Sequence, residues 1–231
     1  MNSRFALAIV GLVCIDSSGA LAQGTKETAK PATKAPAVQP PKDAKPALPP
    51  GMTESDMQAC MEAATPGAMH SHLAEAVGVW EGKETMWMTP EAEPAKCDCT
   101  ATVATLFDGR YTKCEITGDI PGMGPFTGIG LYGYDNVTSK FQATWVDNCS
   151  TTIMIGTGEL SSDGSTMTWT YSYTCPITKK PTTMREIDRT TGKNTRTMTV
   201  YGIDPKSGKE FKMMETNFTR KPGPAPVSST R

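Results

Sequence analysis

Residues 76–88 read AVGVWEGKETMWM, and this stretch places Gly78 and Trp80 one residue apart where a strand is predicted to begin. An apolar layer near the open end of a small barrel admits water unless a broad, flat side chain covers it. We therefore predict that Trp80 closes the floor of an antiparallel barrel, with Gly78 leaving room for the helical turn before it.

The rest of the chain supports this interpretation, because turn residues separate its strand-like runs at regular intervals. Runs rich in Thr, Val, Ile, Tyr, Trp and Met recur about every ten residues, separated by Asp-Gly, Asp-Asn and Ser-Gly turns. The predicted strands are 79–88, 99–107, 110–118, 126–134, 140–148, 151–160, 166–175, 181–189, 195–203 and 209–219. Most links are too short for a helical crossover, so neighbouring strands are expected to pair antiparallel.

These features predict an all-β fold: a single antiparallel up-and-down barrel of about ten strands, preceded by a short N-terminal helix. Closure removes the exposed edges that a long meander would carry. The helix is predicted from Thr53, its cap, to about Ala64, and a second helical turn is predicted over 70–76. Because first and last strands are neighbours in a closed meander, Arg220 is expected to stack on Trp80, a contact worth about 0.5–2 kcal/mol.

The N-terminus resembles a secretory signal. Arg4 precedes an apolar run over residues 5–15, and Ala20-Leu-Ala22 provides a small-x-small cleavage site. An uncleaved anchor is the alternative, but the run is shorter than the ~20 apolar residues that span a bilayer. The predicted organisation is a signal peptide (1–22), a disordered Pro/Lys/Ala-rich linker (23–53), the barrel (54–221) and a disordered tail (222–231).

The expected location is therefore periplasmic or secreted, with cleavage after Ala22 and no transmembrane segment. The net charge of −1 makes nucleic acid an unexpected partner, since phosphate binding needs a concentrated basic face. Lysines outnumber acidic residues in the linker, which allows a weak contact with an acidic envelope surface; a solvated spacer is the alternative.

Removal of the signal leaves an even number of cysteines, which favours disulfides in an exported chain. These candidates are Cys60, Cys97, Cys99, Cys114, Cys149 and Cys175. A hairpin at Asp108-Gly109 sets Val103 opposite Cys114, so one cysteine of the Cys97-x-Cys99 pair is expected to bridge to Cys114 and the other to Cys60. A second hairpin sets Thr151 opposite Cys175, near Cys149, and favours a Cys149–Cys175 bridge. A soft-metal site at the Cys-x-Cys pair is the less favoured alternative, and no metal is predicted.

A helical turn, Gly-x-Trp in the first strand and Arg in the last resemble the calycin group, which includes the lipocalins. A longer series of motifs resembles the bacterial family called domain of unknown function 1579. The motifs are His70-x-x-Leu73, Gly78-x-Trp80-x-Gly82, Met86-Trp87-Met88-x-Pro90, Gly109-Arg110-Tyr111, Gly124-Pro125-Phe126-x-Gly128, Gly133-Tyr134-Asp135-Asn136, Trp145-x-Asp147, Gly208-Lys209-Glu210-Phe211 and Thr219-Arg220-Lys221. The resemblance implies a lipocalin-like barrel without assigned biochemistry. The sequence departs from the family at Asp108, where a glycine is usual, and in its cysteines.

Binding of a small apolar ligand inside the barrel is the favoured function. The predicted ligand-binding residues are Trp80, Met86, Met88, Tyr134, Trp145 and Asp147, and Gly78, Trp80 and Arg220 are predicted to be structural. A ligand-free structural or interaction module of the cell envelope is the alternative.

Catalysis is not expected. The two histidines, His70 and His72, both precede the first strand, so few residues are available to act as the general base that activates a serine or cysteine nucleophile. A hydrolase using interior carboxylates such as Glu84 and Asp147 is a minor alternative. No cofactor is predicted: barrels of the nitrobindin type hold haem through a histidine near the chain end, and none lies there.

Overall fold

The structure, a computed structural model, describes residues 48–223. The predicted signal peptide (1–22), residues 23–47 of the predicted linker and residues 224–231 of the predicted tail lie outside the described residues. The described chain divides into two compact units, 48–61 and 62–223. Within this described part, no helix combines the length and apolar character needed to cross a membrane.

Helix α1, Glu54–Ala64, begins with the predicted cap. Thr53 Oγ1 accepts a hydrogen bond from the Asp56 backbone N–H at 3.2 Å, and Asp56 Oδ2 accepts one from the Thr53 N–H at 2.8 Å. This reciprocal pair satisfies N–H groups that the first turn of a helix leaves without intrahelical partners. The prediction of a helix starting after Thr53 is confirmed.

Helix α2, Ala68–Ala74, covers most of the second predicted helical turn and starts two residues earlier. Gly67 is its N-cap, and the Gly67 N–H donates to His70 Nδ1 at 3.0 Å. His70 is buried and meets the ring of Tyr134 edge-on. The histidine therefore anchors α2 onto the end of a strand.

All ten predicted strands are present, with ends that differ by a few residues. They are β1 Gly78–Met86, β2 Ala95–Leu106, β3 Tyr111–Ile120, β4 Gly124–Asp135, β5 Lys140–Asp147, β6 Met154–Leu160, β7 Thr166–Thr174, β8 Pro181–Gly192, β9 Thr195–Ile203 and β10 Glu210–Arg220. Each pairs antiparallel with the next, and β1 also pairs with β10, so the sheet closes into a barrel. The all-β up-and-down barrel is confirmed.

The core fills the barrel in two clusters. One surrounds Trp80, Met198 and Phe218, and the other surrounds Trp169 and Tyr171. Alternation along each strand points one set of side chains inward, as the burial pattern of β7 shows with Met167, Trp169 and Tyr171. Burial of large side chains of this kind contributes roughly 1.5–3 kcal/mol each.

The first hairpin agrees with its predicted register. Val103 lies opposite Cys114, and the Arg110 N–H donates to the Phe107 carbonyl at 3.3 Å. Phe107, Asp108 and Gly109 all have positive φ, which glycine and aspartate accept most readily.

The observed register of the β6–β7 hairpin differs from the predicted one by one residue. Leu160 lies opposite Met167, whereas the sequence count placed Thr166 there. Asp163 explains the difference, because its carboxylate accepts hydrogen bonds from both Ser161 and Ser165 and organises a longer turn. A slip of one residue exchanges the two faces of a strand.

Gly82 is required by the packing of the first cluster. A Cβ atom there would lie 2.5 Å from Cys99 Sγ, 2.7 Å from Phe218 Cε1 and 2.8 Å from Thr216 Cγ2. We expect Gly82→Ala to lower the free energy of unfolding by about 1–3 kcal/mol through overpacking, measured by urea denaturation. Gly67→Ala is the control, because nothing lies within 4 Å of its added Cβ; it should cost less than about 1 kcal/mol. Equal losses in the two variants would contradict the packing argument.

Candidate functional site

A cavity of about 110 Å³ lies inside the barrel at the end where β1 begins and α2 crosses. Most of its wall is apolar and comes from Trp80, Val103, Ile116, Met167, Trp169, Met198 and Phe218. Leu73 and Ala76, within and just after α2, cover the end. An engineered apolar cavity of about 150 Å³ accepts benzene, so this one suits a molecule of similar or slightly smaller size.

Trp80 forms one side of this cavity and is only 3% exposed. Its indole N–H donates to the Ala76 carbonyl at 2.9 Å, which ties the ring to the chain that follows α2. The predicted contact with Arg220 is present: the guanidinium carbon lies 4.0 Å from the ring centroid. Arg196, from the interior face of β9, lies over the same ring at 5.0 Å.

The role of Gly78 differs from the prediction. Its φ is +146°, and a Cβ atom there would lie 2.5 Å from Arg220 Nη1. The missing side chain therefore makes room for the arginine rather than for the preceding helical turn. Arg220 uses this space to donate hydrogen bonds to the carbonyls of Val77 and Glu75.

Two acidic side chains from β8 project into the barrel beside this cavity. The carboxyls of Glu186 and Asp188 interact electrostatically with each other, and Asp188 also interacts with the Trp169 indole. Burial raises the pKa of both carboxyls, and their mutual repulsion raises that of Glu186 further, while the positive charge of Arg196 opposes both shifts. Because two adjacent buried carboxyls resist double ionisation, the pair retains a proton well above pH 4.

Further polar groups lie near the acidic pair. The Tyr171 hydroxyl is buried and has no hydrogen-bond partner among the described residues. Burial raises the pKa of Tyr132 and Tyr171, so both phenols stay protonated at neutral pH. The Cys114 thiol also lines the cavity, and burial raises its pKa to about 12. The interior thus combines an apolar wall with uncharged donors, one arginine and an acidic pair.

The family model described as protein of unknown function (DUF1579) matches residues 65–220, which comprise the second helix and the whole barrel. The chain belongs to the DUF1579 family. Among curated proteins, none matches this DUF1579 chain.

Solved structures similar to this DUF1579 protein include Rv2717c from M. tuberculosis, with a TM-score of 0.51 and 14% identity over 68% of this chain and 100% of that one. Another is the S-type phycobiliprotein lyase CPES from Guillardia theta, with a TM-score of 0.51 and 9% identity over 71% of this chain and 98% of that one. At these identities the similarity shows the fold alone.

The predicted ligand-binding residues of the DUF1579 barrel do not converge. Of the six, Trp80 alone lines the interior cavity. Tyr134 lies at the same end but packs against Phe141. The other four lie toward the opposite end of the barrel: Met86, Met88, Trp145 and Asp147.

The predicted carboxylate pair is also separated. Glu84 accepts hydrogen bonds from the Thr216 hydroxyl at 3.0 Å and the Cys97 thiol at 3.4 Å, and burial raises its pKa. Asp147 instead accepts from the Trp145 indole at 3.0 Å. Each acid therefore has its own partners, and sequence reasoning missed the pair that does meet, Glu186 and Asp188.

The predicted disulfides are absent, since the six cysteines among the described residues are all free thiols. Strand register gives the reason for one pair. Cys114 lies opposite Val103 while Cys99 lies opposite Gly118, an offset of about 13 Å along the strands at ~3.3 Å per residue. Disulfides need Cα atoms no more than about 7 Å apart.

The second predicted bridge, Cys149–Cys175, was derived from the β6–β7 hairpin, whose observed register differs by one residue. Cys149 follows the end of β5 and Cys175 follows the end of β7, so neither lies in a paired strand. Among residues 48–223, no cluster of three or more His, Cys, Asp or Glu side chains is arranged to hold a metal ion.

Proposed function

We propose that this protein is an exported binding protein that holds one small, largely apolar molecule inside its barrel. The supporting observation is the interior cavity of about 110 Å³, walled by Trp80, Trp169 and other apolar side chains. Transfer of apolar surface from water into such a site stabilises a complex by roughly 25 cal/mol per Å² buried. The limited volume favours a ligand of about half a dozen non-hydrogen atoms, or part of a longer one.

A binding role without a chemical step fits the chemistry of the wall. The thiol of Cys114 is protonated at neutral pH, and a thiolate is the nucleophilic form. The similarity to a phycobiliprotein lyase is a similarity of fold and supports a barrel able to enclose a molecule, without carrying over that protein's activity.

Native mass spectrometry of the full chain purified from its host tests this proposal. We expect an adduct of constant small mass on the wild-type protein. Ala101→Leu should remove the adduct, because Ala101 is buried in the cavity wall and the added carbon atoms occupy the ligand's space. Thr102→Leu introduces the same side chain at the adjacent position on the outer face and should retain the adduct.

A mass equal to the bare chain in repeated wild-type preparations would contradict ligand binding. The interaction role would then be the better candidate, and one surface favours it. Ile129, Leu131 and Val146 form an exposed apolar stripe on the outer face of β4 and β5, extended by Ile155 of β6. Contiguous exposed apolar side chains are typical of interaction sites.

A further inference from the structure

Arg196 has an unusual environment for an interior arginine. It lines the cavity from β9 and lies over the Trp80 ring. Across residues 48–223, no hydrogen bond or ion pair reaches its guanidinium within 4 Å. A guanidinium has five N–H donors and no acceptor, so a partly buried one without partners calls for an acceptor from outside the chain.

Arg220 is the informative contrast. It lies over the same tryptophan, but its donors are satisfied by the carbonyls of Val77 and Glu75. The two arginines therefore differ in function: Arg220 joins the ends of the closed sheet, whereas Arg196 presents unsatisfied donors to the cavity.

The acidic pair lies on the neighbouring strand of the same interior face. Arg196 lies opposite Thr190 in the β8–β9 register, and Asp188 and Arg196 both line the cavity. Their charges interact, although no direct ion pair joins them among the described residues. Arg196 and Asp188 thus face the same cavity from neighbouring strands, and Glu186 is buried nearby.

Other titratable groups face this space from the surrounding elements. Cys114 comes from β3, Tyr132 from β4 and Tyr171 from β7, and each is uncharged at neutral pH. His72 lines the cavity from α2, with its Nδ1 3.7 Å from the Glu75 carboxylate. Arg196 is therefore the permanent cation of the cavity wall, and the acidic pair is its counter-charge when ionised.

We infer that the cavity selects a small organic anion, a carboxylate with a short apolar body, whose oxygens accept hydrogen bonds from Arg196 and whose binding adds a proton to the Glu186–Asp188 pair. This inference rests on the proposed binding function and names the class of its ligand. A bidentate arginine–carboxylate contact is a strong charge-assisted interaction. The anion takes over the role of counter-charge to Arg196, so a second negative charge on the pair becomes unfavourable and a proton is taken up.

Three probes of one size test the inference on the full chain: pentanoate, 1-pentanol and pentylammonium. Binding is followed by NMR through the indole N–H signals of Trp80 and Trp169, which line the cavity. We expect pentanoate to bind at least tenfold more tightly than 1-pentanol, and pentylammonium to bind least. Between pH 8 and pH 6 the affinity for pentanoate should rise by up to tenfold per pH unit, while that for 1-pentanol stays constant.

Variants assign the effect to residues. Arg196→Gln should abolish the preference for pentanoate over 1-pentanol, and Arg196→Lys should restore part of it. Arg189→Gln removes a charge of the same sign from the exposed face of β8 and should leave the preference unchanged. Glu186→Gln/Asp188→Asn should retain pentanoate binding and remove its pH dependence.

The outcomes distinguish the inferred selection of an anion from the proposed binding of a small apolar molecule. Equal binding of pentanoate and 1-pentanol overturns the inference and leaves apolar binding standing. Tighter but pH-independent binding of pentanoate overturns proton uptake. Failure of all three probes to bind, together with a bare mass from the host, overturns both. The wild-type comparison decides the matter even if an interior variant does not fold.

Discussion

Trp80→Ala is expected to lower the free energy of unfolding by about 3–5 kcal/mol, the usual cost of truncating a large buried aromatic side chain. Trp80 is 3% exposed and packs in the cluster that contains Met198 and Phe218. Truncation also removes the hydrogen bond from its indole to the Ala76 carbonyl and the ring beneath Arg220. Urea denaturation followed by circular dichroism measures the loss.

Trp87→Ala is the matched control for this prediction. Trp87 follows the end of β1, is only partly buried, and makes a cation–π contact with Lys212 at 4.5 Å. Its removal should cost about 1 kcal/mol or less. If the two variants unfold at the same urea concentration, Trp80 does not seal the barrel end.

The second large effect is a loss of stability as pH rises. Glu186 and Asp188 have ordinary pKa values of 4.5 and 3.8, and burial raises both in the folded protein. Their stabilising contribution is therefore complete below about pH 4 and is lost as pH rises through the raised pKa values. We expect the free energy of unfolding to fall between pH 5 and pH 8 by up to about 1.4 kcal/mol per pH unit for each proton released.

Other acids do not cancel this trend. The pKa of Glu84 is also raised by burial and adds a change of the same sign. Hydrogen bonds lower the pKa of a second group of acids, whose contributions are lost only below about pH 4: Asp56, Asp135, Asp163, Asp204 and Glu210.

The double variant Glu186→Gln/Asp188→Asn isolates the pair. It should retain the fold and show a much flatter dependence of unfolding free energy on pH from 5 to 8. An unchanged slope in this variant would mean that the pair does not carry the effect.

Strand number, pairing order and closure were predictable because they depend on local signals. Turn residues end each run, and connections too short for a crossover force antiparallel neighbours. The contact between Trp80 and Arg220 followed from closure, since it needs only the first and last strands to be adjacent.

The acidic pair was not predictable from its own strand. In Met184-Arg185-Glu186-Ile187-Asp188, alternation leaves two choices of interior face, and Ile187 favours the face that turns out to point away from the core. The structure resolves the choice through Arg185, which pairs outward with Glu210 at 2.7 Å. The β6–β7 register was missed for a related reason, since side-chain hydrogen bonds from Asp163 set the length of that turn.

The sequence by itself determined the ten strands, their antiparallel order, the closed sheet and the family. Only the tertiary structure decided that Arg196 and Asp188 line one interior cavity with Glu186 buried nearby, and that the β6–β7 hairpin has a register one residue away from the count along the sequence. The physical reason is that strand identity depends on neighbours along the chain. The contents of a barrel interior depend instead on register and facing across strands, where a shift of one residue exchanges inside and outside.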